Sequence, residues 1–170
     1  MSIDLSIEEI VAHYQMLPHP EGGYYKETYR SAEWIHQHGL PNRFEGNRYF
    51  GTAIYFLLDQ GNYSAFHRIK SDETWHFYAG QALEIFVLQE NGELQIIQLG
   101  NQFQAGETFQ ATVSAGAWFA SRPAANTAFS LVGCTVAPGF DFNDFELAKA
   151  EELVKLFPQH ASLIRELCRL

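Results

Sequence analysis

Basic residues are scarce in this chain: 11 Lys and Arg stand against 20 Asp and Glu, a formal net charge of −9. That balance offers no general attraction to phosphate backbones or anionic lipid, so neither nucleic acid nor a membrane surface is an expected partner. Cysteine is scarcer still. Cys134 and Cys168 are the only two, and one possible pair makes neither a disulfide framework nor a zinc ribbon. Both read as packing residues in a reducing compartment. Long apolar runs are missing too. Gly51 to Leu58 is such a run, and it stops well short of the roughly 20 residues needed to span a bilayer. The opening stretch, Met1 to Glu9, lacks a basic n-region and a long apolar h-region, and a cytoplasmic protein is expected. No G-x-S-x-G elbow occurs, and Gly100 to Gly106 lacks a P-loop Lys, so nucleophilic serine catalysis and phosphate-loop chemistry have no candidate.

The 170 residues are 46% hydrophobic and 18% charged, which fits one globular domain spanning residues 1–170. Ser6 and Glu9 form a capping box ahead of Ile7, Ile10, Val11 and Tyr14, predicting a helix over about residues 6–16. About nine short β runs follow over residues 21–137, the expected body of a meander or jelly roll. Asn91-Gly92 between two alternating runs predicts a type I′ hairpin. Asn143 and Glu146 resemble a helix cap, and two helices are expected over residues 143–170, with Pro158 opening the second. Asp141 and Asp144 read as capping groups.

The chemistry concentrates in Gly61 to Gly80. A strand alternates its side chains, so Ala65, His67 and Ile69 share one face. In the next run Glu73, Trp75 and Phe77 lie together, with Thr74, His76 and Tyr78 opposite. His67 and Glu73 thus both point into an apolar interior. A carboxyl beside Trp75 and Phe77 is desolvated, which favours its neutral form and is how enzymes poise a general acid or base. A core polar pair in which Glu73 and His67 satisfy each other explains the pattern equally well.

The segment resembles the first motif of the cupin superfamily, G-x5-H-x-H-x3or4-E-x6-G. Gly61, His67, Glu73 and Gly80 stand at matching places, while Ile69 replaces the second histidine. The second cupin motif is recognisable only loosely in Gly106 to Pro123, with Phe119 at its histidine position. In metal-binding cupins three histidines and the glutamate hold the ion; carried over, only His67 and Glu73 survive. No cofactor is therefore expected, since Ile69 and Phe119 have no lone pair to offer a metal. A divalent metal would need His76 turned inward by a bulge. More closely, the chain resembles the small single-domain cupins of the fifth cupin family. The marks are Pro18 to Ser31, Phe66-His-Arg68, Ser71 to Tyr78, Ala115 to Ser121 and Gly133 to Phe142. The resemblance implies an all-β jelly-roll barrel with short N-terminal and C-terminal helices, usually dimeric, related to dTDP-4-dehydrorhamnose 3,5-epimerases and to seed-storage cupins.

These residues lead to an expected metal-independent isomerase or epimerase acting on a sugar or small carbonyl compound. His67 is the expected acid or base, Glu73 the group that orients or exchanges the proton, and Tyr78 or Tyr29 a phenolic donor. Tyr25, Tyr29, Arg48, Trp75, His76 and Phe119 are the expected ligand contacts, with Arg48 suited to a carboxylate or phosphate and Phe119 to stacking. Gly22-Gly23 permits positive φ or close approach to a ligand at a mouth framed from His19 to Tyr25. The alternatives are a module that binds a small polar metabolite without turnover and a metal-dependent cupin with a degenerate ligand set. A homodimer is expected, because the aromatic-rich run Tyr24 to Tyr29 would be an exposed edge best covered by a partner.

Overall fold

The computed structural model describes residues 6–169. Helix α1, Ile7–Tyr14, starts at the expected capping box: Ser6 accepts from the Glu9 N–H and Glu9 reaches back to the Ser6 N–H. Thirteen strands follow among the described residues: β1 Leu17–Pro18, β2 Tyr24–Arg30, β3 Trp34–Ile35, β4 Arg48–Tyr49, β5 Thr52–Asp59, β6 Ser64–Arg68, β7 Asp72–Gly80, β8 Leu83–Leu88, β9 Leu94–Leu99, β10 Gln110–Val113, β11 Trp118–Pro123, β12 Phe129–Ala137 and β13 Glu146–Leu147. Helices α2, Ala150–Leu156, and α3, Ala161–Glu166, come last.

The long strands form two antiparallel sheets. One has six strands in the order β1-β2-β5-β12-β7-β10, the other five in the order β13-β6-β11-β8-β9. Sequence neighbours β5 and β6, β6 and β7, and β7 and β8 lie in different sheets, which is the jelly-roll crossing pattern. The sheets face each other without closing into a hydrogen-bonded barrel, so the expected barrel is a two-sheet jelly roll. Between them lies a core built from alternate residues, including Phe56, Leu58, Trp75, Ile85, Phe119 and Val132. The outward residues Phe66, Phe86 and Ala120 of the smaller sheet pack under Leu153 and Ile164 of the terminal helices and Leu167 just after α3. On the larger sheet, Ile10 of α1 and Met16 cover Leu57 and Leu131.

Three local expectations are corrected. The β8–β9 turn is not type I′, because Asn91 keeps negative φ and only Gly92 is positive, at 87°. Gln89 pairs with Glu93, and the Gly92 N–H bonds the Gln89 carbonyl, the pattern of a three-residue loop ending in a glycine bulge. Asn143 and Glu146 cap no helix: Phe142–Asp144 is a single 3-10 turn whose cap is Asp141, Glu146 belongs to β13, and α2 begins after Lys149. The edge of the larger sheet also differs. β1 pairs with β2 at Tyr24 and Tyr25, and among the described residues the stretch from Lys26 onward has no strand on that side. No helix among the described residues is long and apolar enough to cross a membrane.

Candidate functional site

A cavity of about 340 Å³ opens between the sheets where β1, β2 and β5 of the larger sheet meet the inner face of β6, near the lower end of the size range of ligand pockets. Strand alternation places its chemistry. His67 on β6 and Glu73 on β7 point inward as the sequence predicts, 2% and 8% exposed. They do not pair with each other as their principal contact. His67 Nε2 lies 3.0 Å from Glu21 Oε2, and Glu21, on the loop between β1 and β2, is itself 6% exposed.

The protons at this pair follow from the acceptors. His67 Nδ1 lies 2.7 Å from the Ala65 carbonyl, which can only accept, so Nδ1 carries a proton. A short contact from Nε2 to a carboxylate needs a second proton between them. Electrostatics place that proton on the ring, as an imidazolium beside a carboxylate: burial disfavours both charges, but the Glu21 charge and hydrogen bond raise the His67 pKa, and His67 lowers that of Glu21.

Glu73 takes the opposite course. Burial pushes its carboxyl up to about 7; the His67 charge opposes this and the Glu21 charge adds to it. Glu73 therefore titrates where a proton-transfer group works best. Cys134, inward on β12, shares the cavity, and burial together with the nearby carboxylates holds its thiol well above its ordinary value. It is a neutral neighbour of Glu73 and not an activated nucleophile. His19 accepts the Glu21 N–H through Nδ1 at 3.2 Å, and burial lowers its pKa, with the His67 charge adding to this and Glu21 opposing it. Its ring packs against Tyr25, Phe56, Phe142 and Phe145.

The glycines at the mouth serve the protein's own backbone. Gly22 and Gly23 have φ of 119° and 75°. A Cβ on Gly22 would collide with the Tyr63 carbonyl, and one on Gly23 would meet the Leu57 carbonyl at 2.5 Å. Only glycine lets this loop fold tightly enough to carry Glu21 into the interior.

Tyr25 lines the cavity. Trp75 and Phe119 are inward but lie behind the site as packing, each 1% exposed, with Phe119 4.1 Å from the His67 ring. Tyr29 is outside: β2 carries a bulge at Thr28, pairing Glu27 with Ile54 and Tyr29 with Ala53, so the alternation slips by one. The same slip brings Arg30 to the cavity. Arg48 does not line this cavity either. It is buried and spent on Asp144, with contacts of 2.6 and 2.7 Å, so Asp144 is half of an internal ion pair and not a cap. His76 and Tyr78 occupy the outer face. His76 bonds Thr135 and Gln110, and the Tyr78 hydroxyl rests on Gly133, half exposed. The β7 bulge falls at Tyr78, beyond His76, and turns neither residue inward.

The metal set of cupins does not fit these residues. Ile69 lines the cavity and Phe119 backs His67, neither with a donor. His67 has both ring nitrogens engaged and His76 faces away. No group of three or more potential ligands is arranged for a metal among the described residues. Glu21 escaped the sequence reading as a partner of His67 because it reaches the site from a distant loop; the one signal was Gly22-Gly23 beside it.

The Cupin_5 family (Cupin superfamily, DUF985) matches residues 8–148. The chain belongs to this cupin family. It is similar to a hypothetical protein from Leishmania major, with a TM-score of 0.88 and 35% identity over 98% of this chain and 100% of that one. Protein SO0799 from Shewanella oneidensis is comparable, with a TM-score of 0.86 and 39% identity over 97% of this cupin and 98% of its own chain. The uncharacterized yeast protein YML079W (Saccharomyces cerevisiae) is 29% identical over 159 residues, 88% of this chain and 79% of that protein.

Proposed function

We propose that this cupin binds a small sugar or carbonyl compound in the cavity and moves a proton at the carbon next to its carbonyl, as an isomerase or epimerase does, with no step routed through a metal. The observation that carries the reading is Glu73, a carboxyl with a pKa of about 7 at the cavity wall beside the His67–Glu21 ion pair. In its ionised form Glu73 takes the proton from carbon; the C–H electron pair becomes a C=C bond and the C=O π pair moves onto oxygen to give an enolate. The Glu73 proton exchanges with water, and delivery of a proton from Glu73 to carbon restores the carbonyl and completes the exchange. His67 has both N–H groups engaged, so its part is to hold a fixed positive charge near the developing enolate rather than to shuttle the proton. Tyr25 takes the place of Tyr78 and Tyr29 as the phenol on the cavity wall.

The reading predicts that small hydroxy-carbonyl compounds incubated with the protein in D2O exchange the hydrogen next to their carbonyl, followed by proton NMR. Glu73→Gln lowers the rate by about 10²–10⁴-fold. Exchange that survives both Glu73→Gln and His67→Ala overturns it. A second reading, binding without turnover, is favoured by the saturation of both His67 nitrogens, and retained ligand affinity with no exchange in the native protein supports it. We also propose a homodimer and a cytoplasmic setting.

A further inference from the structure

Among the charged side chains lining the cavity, which also include Lys26 and Glu73, four cancel in two pairs. Glu21 and His67 neutralise each other at 3.0 Å. At the mouth, Arg30 Nε and Nη2 donate to the two oxygens of Glu27 at 3.0 and 2.7 Å, and Nη1 donates to the Phe140 carbonyl at 3.2 Å. A guanidinium has five N–H donors. One N–H on each terminal nitrogen therefore has no acceptor among the described residues. The group is held by three bonds and stacked over Tyr49 at 5.0 Å, yet its side chain is still one-third exposed.

Arg30 reaches the cavity through a break in the alternation of β2. Regular alternation from Tyr25 and Glu27 would turn Tyr29 into the cavity and Arg30 away. The bulge at Thr28 reverses this and puts Arg30 opposite Thr52, which itself lines the cavity. Bulges beside sites act to re-aim side chains, and here a phenol is exchanged for a guanidinium with two free donors.

We infer that Arg30 anchors an anionic group, a carboxylate or phosphate, on the small carbonyl compound whose reacting carbon lies at Glu73; this names the substrate class of the site and rests on the reading proposed above. The anion accepts the two unspent N–H groups in a geometry that an ammonium cannot match. Glu27 keeps the fork aimed before the ligand arrives and offsets the Arg30 charge until the ligand binds.

The test uses matched probes that differ in the charged tail, titrated against the full chain by calorimetry. Dihydroxyacetone phosphate is set against dihydroxyacetone, and 4-oxopentanoate against 2-pentanone. In at least one pair the anionic member binds about tenfold or more tightly than its neutral partner; which pair shows it tells phosphate from carboxylate. Arg30→Met removes the preference, and Arg30→Lys, which keeps the charge and loses the fork, restores only part of it. Equal affinity within both pairs, no binding of any probe, or a preference that survives Arg30→Met overturns the assignment. The anion preference persists in Glu73→Gln, whereas deuterium exchange does not. A tail preference without exchange therefore refutes the catalytic reading alone, and exchange without a tail preference refutes the anchor alone.

Discussion

At the scale of single residues the site turns on one carboxyl that is out of its usual range and two charges that hold each other. Glu73 moves from 4.5 to about 7 because burial favours its neutral form. Between those values the unfolded chain has lost the Glu73 proton while the folded chain keeps it, so folding stability falls as pH rises through this window. The shift corresponds to about 3 kcal/mol lost between pH 4.5 and 7. Glu73→Gln stays neutral at every pH and escapes this loss. Urea unfolding of the two proteins should therefore give stability curves that diverge by about that amount from pH 4.5 to 7, with the variant gaining, whereas parallel curves would show an unperturbed Glu73. His67 and Glu73 were legible from alternation alone, since Glu73 lies on an unbulged stretch of β7 and the irregularity of β6 falls before His67, leaving it on the cavity wall with Ile69. Glu21 was not, because a residue far away in sequence is brought to His67 by a glycine loop whose path depends on backbone contacts with Tyr63 and Leu57. Arg48 and Asp144 were misread for a related reason: a charge at a strand end gives no sign of a buried partner.

At the scale of elements, the misplacement of Tyr29 and of the β8–β9 turn traces to irregularities that period-2 reasoning cannot detect, whereas His76 and Tyr78 stand on the outer face where alternation put them. The bulge at Thr28 inverts Tyr29 and Arg30, and a three-residue loop takes the place of the type I′ turn that Asn91-Gly92 suggested. The runs that carry the sheets were legible, because their apolar alternation reflects burial between two layers. The two-residue strands β1, β3, β4 and β13 were not, being too short to show a period. One such element fixes the aromatic wall. Arg48 of β4 bonds the turn Phe142–Asp144 through Asp144 and adds bonds to the Glu45 and Asn47 carbonyls, while Phe142 and Phe145 on either side of Asp144 line the cavity. Both side chains of the ion pair are under 5% exposed. Arg48→Met leaves a buried carboxylate without its guanidinium and should lower stability by about 3–5 kcal/mol in urea unfolding, and Arg48→Met with Asp144→Leu should recover most of it. A single substitution that costs under about 1 kcal/mol would mean the pair does not hold the wall.

At the scale of the whole molecule, two jelly-roll sheets with helices on their outer faces match the all-β reading, and the family matches residues 8–148. The cavity lies between the two sheets. The proposed homodimer rests on the unpaired side of β2 from Lys26 onward and on the exposed aromatics Tyr29 and Trp34 near it, which a second copy would cover. Size exclusion with light scattering should give about twice the 19.3 kDa chain mass, and a monomer at all concentrations would contradict it.

The central claim, that the Glu73 carboxyl is poised for proton transfer beside a permanently paired His67, is tested most directly by a carbon-13 NMR titration of the glutamate carboxyls, with Glu73 assigned by its absence in Glu73→Gln. The account predicts a midpoint at about 7, with the His67 ring still doubly protonated as Glu73 ionises. A Glu73 midpoint near the ordinary 4.5, or a His67 ring already neutral at pH 7, would contradict it.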